Sequence, residues 1–405
     1  MKTKEGRGTR GVRASTVEVS IVLPCLNEAE TLAACIHKAR RALGLHGLKG
    51  EIVVADNGSS DGSVEVAEHL ADRVIAVAEK GYGNALSAGI AAAKGRFVLM
   101  ADSDDSYDLE SVPAFVEKLR AGYDLVIGNR FQGGIRPGAM PWLHRWFGNP
   151  ALTGVGRLFF GAPIGDFHCG IRAFRREAYE RLDLRTAGME FASEMVIKAA
   201  LEGLRIAELP TVLSPDGRSR RPHLRTWRDG WRHLRFMLLF SPRWLFLIPG
   251  IATFLTGSLV SVWLISAPRR LGPLGLDIHT LLVAGVLCLI GYQLVVFAVF
   301  TKFFAIREGL HPARPGLVRL WRYVNLEVGL LAGALMLLAG AALLAAAILS
   351  WSAAGFGALD PRDTMRVVIP AVVLLALGTQ TVFASFFLSI LGMPASRTAA
   401  SSRAV

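Results

Sequence analysis

Three aspartates follow an apolar run in the first half of the chain. Residues 96–101 read Arg-Phe-Val-Leu-Met-Ala, and Asp102, Asp104 and Asp105 lie within the next four positions. The apolar run predicts a buried strand, and α/β proteins bind ligands at the carboxyl ends of such strands. Two carboxylates this close repel unless a cation lies between them, and their oxygens suit Mg²⁺ or Mn²⁺. The cluster alone is equally consistent with a polar turn that caps the next helix.

A repeating pattern surrounds this cluster. From Val17 to about Pro210, short apolar runs alternate with amphipathic ones, which is typical of βαβ units and a Rossmann-like, mostly parallel sheet. Polar or glycine-rich turns follow several of the runs, and we expect these turns to meet at one edge of the sheet. No G-x-G-x-x-G follows the first run, so a dinucleotide site is not indicated. The predicted strands are Val19–Leu23, Glu51–Ala55, Arg73–Val77, Arg96–Met100 and Asp124–Ile127.

The second half of the chain has a different composition. It contains four long stretches that are almost free of charge, and each exceeds the ~20 apolar residues that cross a ~30 Å hydrocarbon core. One such stretch is compatible with a buried helix of a soluble protein, but four in succession predict an all-α membrane domain. The stretches are roughly Trp244–Ser266, Ile278–Thr301, Val328–Leu349 and Val367–Leu391.

Five segments are therefore expected along the chain. A basic disordered arm occupies residues 1–16, and the α/β domain follows at 17–225. Residues 226–243 carry tryptophans and arginines on adjoining stripes, which predicts an amphipathic helix in the membrane interface. The four transmembrane helices span residues 244–391, and a flexible tail follows at 392–405.

The distribution of positive charge predicts an orientation and a partner. Residues 302–323 carry five lysines and arginines, and loops rich in these residues face the cytoplasm. No apolar segment comes before residue 244, so the α/β domain and both termini are expected in the cytoplasm. The net charge of +12 is concentrated in the first arm and near the apolar stretches, which favours a membrane over nucleic acid. The four cysteines have no metal or redox spacing.

Six separate turns and strand ends carry a resemblance to a known family. The chain resembles the inverting family-2 glycosyltransferases of the GT-A fold, and more closely the polyprenyl-phosphate glycosyltransferases such as dolichol-phosphate mannose synthase and its bacterial glucosyl relatives. The family motifs LPxxNE, DDGSxDG, KGxGxA, DxD, GSR and DxxxGFRAF are matched in order. The matching segments are Leu23–Glu28, Asp56–Gly62, Lys80–Ala85, Asp102–Asp104, Gly128–Arg130 and Asp166–Phe174.

The resemblance implies a donor site with a metal ion. The donor would be a nucleotide sugar of the UDP-glucose or GDP-mannose type, and Mg²⁺ or Mn²⁺ would neutralise its diphosphate. Asp104 is expected to contact the metal directly and Asp102 to support the metal or the sugar hydroxyls. The expected donor-binding residues are Pro24, Asn27, Glu28, Asp56, Lys80, Gly81 and Asp102.

The resemblance also implies a lipid acceptor, undecaprenyl or dolichyl phosphate, at a bacterial inner membrane. A phosphate is already ionised and needs positive charge rather than a general base. Arg130 is expected to act in catalysis together with Asp102 and Asp104. The arginines expected to bind the acceptor phosphate are Arg130, Arg136, Arg145, Arg172, Arg218 and Arg220.

Two departures and two alternatives remain open. Ser106 stands where relatives have a glutamine, and Ser214 stands where they have the first arginine of an Arg-x-x-Gly-x-Ser-Lys run. A glycosyltransferase with a hydroxyl acceptor on a lipid or polysaccharide would need a base, for which Glu190 or Glu194 are candidates. A membrane scaffold or transporter with an inactive nucleotide fold is the other alternative. The sequence leaves homo-oligomerisation open.

Overall fold

The computed structural model describes residues 17–219, 226–312 and 325–393, and the chain forms two compact units that divide between Met237 and Leu238. The predicted arm at 1–16, the predicted phosphate ligand Arg220 and residues 394–405 of the predicted tail lie outside the described residues. The first unit is an α/β domain, and the second consists mainly of long apolar helices.

A seven-stranded sheet forms the centre of the first unit. Its strand order is β3-β2-β1-β4-β6-β5-β7, and only β6 runs antiparallel to its neighbours. The prediction of a mostly parallel sheet is therefore confirmed. The strands are β1 (Val19–Cys25), β2 (Gly50–Asp56), β3 (Arg73–Ala76), β4 (Phe97–Met100), β5 (Leu125–Asn129), β6 (Arg172–Arg175) and β7 (Ile206–Pro210).

Burial explains which strands the sequence predicts. Ile21, Val22 and Leu23 of β1 are fully buried, as are Val98, Leu99 and Met100 of β4. Strands covered on both faces have continuous apolar runs, so β1, β2, β4 and β5 are easy to recognise in the sequence. By contrast, β6 has an arginine at each end and β7 has a glutamate in its middle, and neither strand is predicted.

Helices connect the strands. Helix α1 follows β1 in the chain and contacts α2 and α4. Helix α3 contacts β1, β2 and α8. The buried face of α1 carries Leu32, Cys35, Ile36 and Ala39. The helices of this unit are α1 (Leu32–Leu45), α2 (Ser63–Leu70), α3 (Tyr82–Ala92), α4 (Val112–Arg120), α5 (Arg130–Gly133), α6 (Asn149–Phe160), α7 (Arg176–Leu182), α8 (Phe191–Leu201) and α9 (Thr226–Leu239).

Strand register brings the polar turns to one edge. Cys25 at the end of β1 pairs with Asp56 at the end of β2, and Met100 at the end of β4 pairs with Val22 of β1. Because β6 is antiparallel to both β4 and β5, its first residue, Arg172, lies at the same edge. The turns after β1, β2, β4 and β5 and the turn before β6 therefore converge, as carboxyl ends of parallel strands do.

Among its described residues, the second unit contains four continuous helical stretches of 22, 30, 28 and 32 residues, each long and apolar enough to cross a membrane. The first is Arg243–Leu264, which includes α10 (Ile248–Leu264). Glycines let the helix backbones approach closely, and a Cβ atom at Gly378 would lie 2.9 Å from the carbonyl oxygen of Gly333. The other three are α11 (Ile278–Arg307), α12 (Leu326–Ala353) and α13 (Pro361–Gly392).

Candidate active site

The turns after β1 and β2 are locked together by hydrogen bonds. The Asp56 carboxylate ends β2 and accepts hydrogen bonds from the backbone N–H groups of Gly58, at 2.9 Å, and Ser59. Asn27 adopts a left-handed φ of 58°, and its side-chain oxygen accepts from the Ser60 N–H at 2.7 Å. Pro24 lies in β1 itself and pairs with Ala55. The structure thus brings the predicted residues Pro24, Asn27 and Asp56 close together.

A third turn joins this group through Asn57, a residue that sequence reasoning missed. The Asn57 side chain accepts from the Gly81 N–H at 2.7 Å and donates to the carbonyl of Glu79 at 2.8 Å. Lys80 donates to the Asn57 carbonyl at 2.6 Å. Gly81 has a φ of 142°, which L side chains rarely adopt, so a glycine is required there. Asn57 therefore positions the predicted donor residues Lys80 and Gly81.

Asp102 lies deep in the acidic turn after β4. Its Oδ1 accepts a hydrogen bond of 2.9 Å from the hydroxyl of Tyr82, at the start of α3. Burial and the nearby Asp104 carboxylate raise the pKa of Asp102 to about 6, while the Tyr82 hydrogen bond and the charges of Arg218 and Arg130 oppose that shift. Tyr82 thus contacts the predicted site residue Asp102, and the spacing of the motifs in the sequence does not indicate this contact.

Asp104 and Asp105 point to different partners. Asp104 Oδ1 accepts from the backbone N–H and the hydroxyl of Ser106, at 3.1 and 2.6 Å. Asp105 has a left-handed φ of 59° and forms an ion pair of 2.7 Å with Lys38 of α1. Asp105 is thus a structural residue of the turn, and Asp104 Oδ2 remains directed toward the site.

An arginine joins Asp104 to the turn after β1. The Arg218 guanidinium lies 2.9 Å from Glu28 Oε1 and 2.9 Å from Asp104 Oδ2. A third contact of 3.0 Å joins it to Asp216. Arg218 was predicted to bind an acceptor phosphate, whereas in this structure it is paired with carboxylates.

Carboxylate oxygens at this position fit a divalent ion. The cationic Arg218 side chain between Glu28 and Asp104 shows that the site attracts positive charge. Within the described residues, no group of three or more His, Cys, Asp or Glu side chains has the arrangement of a closed metal cage. Proteins that act on phosphates commonly hold Mg²⁺ through one or two carboxylates together with substrate oxygens and water.

A second group of residues surrounds Arg130 after β5. Arg130 Nε and Nη2 donate to the two oxygens of Asp166 at 2.6 and 2.7 Å, and Asp166 is fully buried. Burial has the largest single effect on the pKa of Arg130 and lowers it. Tyr107 and Asp166 together outweigh burial and hold that pKa well above its ordinary value. A cavity of about 280 Å³ adjoins it, lined by Arg130, Phe131, Gly134, Ile135, Arg145, Trp146 and Pro150.

The predicted phosphate-binding arginines have different surroundings. Arg130 and Arg145 line the same cavity, whereas Arg136 is exposed and does not line it. Arg172 is fully buried and donates to the backbone carbonyls of Cys169, Phe167 and Ala192. Those carbonyls occupy the Arg172 guanidinium in this structure, and its role in binding acceptor phosphate stays a prediction.

Two sequence profiles match the chain. The profile described as "Glycosyl transferase family 2" matches residues 20–183, and "Glycosyltransferase family 2 C-terminal transmembrane region" matches residues 299–392. The low-salt glycan biosynthesis hexosyltransferase Agl6 of Haloferax volcanii is 38 % identical over 381 residues, covering 92 % of this chain and 89 % of that protein. The chain belongs to glycosyltransferase family 2.

Two further similarities cover the catalytic half. A dolichyl-phosphate hexose transferase of Haloferax volcanii is 32 % identical over 193 residues, covering 48 % of this chain and 81 % of that protein. Glucosyl-3-phosphoglycerate synthase from Mycobacterium tuberculosis, solved with Mn²⁺ and uridine diphosphate, is 24 % identical with a TM-score of 0.42, covering 55 % of this chain and 78 % of that one.

As a family-2 glycosyltransferase, the protein is an enzyme with a GT-A-like catalytic domain and an integral membrane region. The expectations of a transferase, of this fold and of four long apolar helices are confirmed. Five of the six motif segments lie at the polar edge of the sheet, and the sixth, Lys80–Ala85, adjoins it through the hydrogen bond between Gly81 and Asn57.

Proposed function

We propose that this glycosyltransferase transfers one hexose from a nucleotide sugar of the UDP-glucose or GDP-mannose type to a polyprenyl phosphate, with inversion. The observation that carries the proposal is the cavity in which Arg130 and Arg145 lie beside Phe131 and Trp146. Guanidinium groups suit phosphate oxygens, and aromatic rings suit an apolar chain. The relative named for dolichyl phosphate supports the same class of acceptor.

The donor binds, in this proposal, along the turns after β1, β2 and β4. Asp56 and Glu28 face the nucleoside, and Lys80 and Gly81 line the same side of the donor site. Asp104, with Asp102 in support, would hold Mg²⁺ or Mn²⁺, and that ion would supply positive charge to the leaving diphosphate. The remaining proposed donor residues are Pro24 and Asn27, which the hydrogen bonds of the β1–β2 turns hold in register.

The reaction is a single displacement. One oxygen of the acceptor phosphate attacks the anomeric carbon and forms the new C–O bond. The bond to the donor diphosphate breaks on the opposite face, and its electron pair leaves with the nucleoside diphosphate. Arg130 and Arg145 hold the acceptor oxygens in line, so positioning and electrostatics supply the catalysis. No proton has to be removed, since the phosphate is ionised near neutral pH.

The candidate bases for a hydroxyl acceptor have other partners. Glu194 is almost fully buried, accepts hydrogen bonds from Arg185 and Thr186 and pairs with Lys198 at 2.8 Å. Glu190 pairs with Arg232 at 3.2 Å. Both carboxylates are thereby tied to structural contacts, which favours the phosphate acceptor over the hydroxyl alternative.

The acceptor requires that the catalytic unit meets a membrane. Trp142 and Trp146 are 72 % and 64 % exposed, and Trp227 of α9 is 78 % exposed. Exposed tryptophans beside arginines are typical of segments in the membrane interface. We propose that these segments contact the cytoplasmic leaflet of an inner membrane. Protease digestion of the catalytic unit in inside-out but not right-side-out vesicles is the expected result.

The proposal is tested by a donor screen on membranes that contain the full-length protein. UDP- and GDP-sugars are each supplied with undecaprenyl or dolichyl phosphate and Mn²⁺, and the labelled lipid is resolved by thin-layer chromatography. A product labile to mild acid is a glycosyl phosphate and supports the proposal, whereas an acid-resistant glycoside supports a hydroxyl acceptor. Failure to bind any of these nucleotide sugars by calorimetry would support an inactive scaffold.

Two adjacent aspartates provide a matched pair for the metal assignment. Asp104→Asn is expected to lower transfer at least about a hundredfold, because the carboxylate that would hold the metal ion against the diphosphate is lost. Asp105→Asn is expected to retain transfer, since asparagine tolerates the left-handed φ and the lost ion pair with Lys38 is partly exposed. Equal activity of the two variants would contradict the metal assignment.

A further inference from the structure

We propose that Arg218, which Glu28 helps to hold, competes with the divalent cation for Asp104, so that this side chain sets the metal affinity of the donor site. The inference rests on the proposed metal-dependent function. It assigns Arg218 a role other than binding the acceptor phosphate. Metal binding then requires that the guanidinium leaves Asp104.

The contacts of Arg218 are those of an internal counter-ion. Nη1 donates to Glu28 and Nη2 donates to Asp104, each at 2.9 Å, and the Arg218 side chain is only 12 % exposed. The Glu28 and Asp104 side chains are 8 % and 14 % exposed. Charge pairs with so little solvent around them are weakly screened, so Arg218 stabilises the charges of both carboxylates that it contacts.

The oxygen that a metal needs is the one that Arg218 occupies. Asp104 has two carboxylate oxygens, and Oδ1 already accepts two hydrogen bonds from Ser106. Oδ2 therefore remains for a cation, and in this structure it accepts from Arg218. An ion that binds Oδ2 has to displace the guanidinium, because two positive charges at this distance repel each other.

The chain holds Arg218 in this position by its backbone. The Gly217 N–H donates to the carbonyl of Asp104 at 3.0 Å, and the Ser214 N–H donates to the carbonyl of Ser106 at 2.9 Å. On the other side, the backbone N–H and the hydroxyl of Ser219 donate to Glu30 at 2.8 and 2.6 Å. Residues 214–219 thus form a strap along the acidic turn, and Arg218 projects from it onto Asp104.

The experiment measures Mn²⁺ binding to the purified full-length protein without nucleotide, by electron paramagnetic resonance. Arg218→Gln removes the charge but retains hydrogen-bond donors, and we expect it to bind Mn²⁺ about tenfold more tightly, a change of ~1.4 kcal/mol. Arg218→Lys keeps the charge and is expected to change the affinity less. Arg41→Gln is the matched control, because Arg41 forms an exposed ion pair with Glu110 elsewhere in the domain.

The outcomes separate this inference from the proposed function. If Arg218→Gln binds Mn²⁺ with the wild-type affinity or more weakly, or if neither protein binds Mn²⁺, the competition is refuted. The Mn²⁺ affinity is then measured again after Asp104→Asn has been introduced into the wild type and into the Arg218→Gln variant. If Asp104→Asn leaves the Mn²⁺ affinity of the wild type unchanged, the metal assignment is overturned as well. If Asp104→Asn lowers the affinity but Arg218→Gln does not change it, only the competition is overturned.

Discussion

Arg130 and Asp166 form a bidentate pair in which two guanidinium nitrogens meet both carboxylate oxygens, at 2.6 and 2.7 Å. The Arg130 N–H also donates to Asp166, at 3.2 Å, so that backbone and side chain are fixed together. These two hydrogen bonds use one edge of the Arg130 guanidinium. Arg130 also lines the cavity proposed for the acceptor phosphate. The pair therefore orients the arginine rather than merely neutralising it.

Replacing Asp166 with asparagine should leave Arg130 as a buried charge without a counter-charge. We expect Asp166→Asn to destabilise the catalytic unit by about 3 kcal/mol, the usual cost of breaking a buried ion pair. Transfer should fall at temperatures where the variant is still folded, because Arg130 is no longer held in place. Thermal unfolding in detergent and the transfer assay measure the two effects.

The exposed pair between Asp183 and Arg185 is the control for this variant. Its side chains are 59 % and 51 % exposed, although the contact of 2.6 Å is as short as that in the buried pair. Exposed pairs contribute about 0–1 kcal/mol, so Asp183→Asn should change neither unfolding nor transfer appreciably. Similar losses from both substitutions would contradict the orienting role of Asp166.

Glu208 supports the same pair from β7. Its Oε1 accepts from the backbone N–H groups of Gly165 and Asp166, at 2.8 and 3.1 Å, and from the Asn129 side chain at 3.0 Å. We expect Glu208→Leu to reduce transfer at least about tenfold, since partly buried donors lose their acceptor. Glu208→Gln keeps an acceptor oxygen and should restore most of the activity. Transfer rates at saturating donor compare the two, and an inactive Glu208→Gln would show that the charge itself is required.

The sequence predicts the sheet well because the central strands are continuous apolar runs. It also predicts the polar edge, since most of the motif segments begin at or just after the end of a strand and parallel strands end at the same edge. β6 and β7 lack such a run, because β6 begins at Arg172 and ends at Arg175, and Glu208 lies in the middle of β7. Their place in the sheet depends on tertiary pairing rather than on local pattern.

The contacts within the site are less predictable because they join distant parts of the chain. Arg218 is 190 residues from Glu28 and 114 from Asp104, so no spacing rule brings them together. For Arg172, the motif marks an arginine at the catalytic edge but does not say which way it points. In the structure it points inward onto backbone carbonyls, which only packing determines.

Gly170 leaves the space in which Asp102 lies. A Cβ atom at Gly170 would overlap Asp102 Oδ2 and would lie 3.0 Å from the ring of Tyr107. We expect Gly170→Ala to displace the Asp102 carboxylate from the hydroxyl of Tyr82 and to lower transfer by about a hundredfold, as loss of a catalytic electrostatic group does. Steady-state assays with the donor identified in the screen measure kcat and KM.

An alanine at Gly154 is the matched control for this substitution. Nothing lies within 4 Å of a Cβ atom there, and the residue is in α6. Alanine is favoured over glycine inside a helix by about 0.5–1 kcal/mol, so Gly154→Ala should be active and at least as stable as the wild type. If Gly170→Ala transfers sugar as fast as Gly154→Ala, the position of Asp102 is unimportant for the reaction.

Acid should destabilise the catalytic unit through His168. Within the described residues neither imidazole nitrogen has a hydrogen-bond partner, and the ring lies 4.7 Å from that of His233. Burial, followed by the charges of His233, Arg130 and Arg172, lowers the pKa of His168 well below its ordinary value. The unfolded chain takes up a proton below about pH 6.5 while the folded protein does not, so stability is lost as the pH falls through that value.

His168→Phe removes this titration and should reduce the acid sensitivity. Between about pH 7.5 and pH 5.5 the wild type should lose about 1 kcal/mol of stability through this residue, and the variant should lose correspondingly less. His37→Phe makes the same substitution at an exposed position of α1 and should retain the wild-type dependence. Apparent unfolding temperatures at the two pH values provide the measurement. Equal losses in His168→Phe and the wild type would show that other groups cause the acid sensitivity, because only the first protein lacks the buried imidazole.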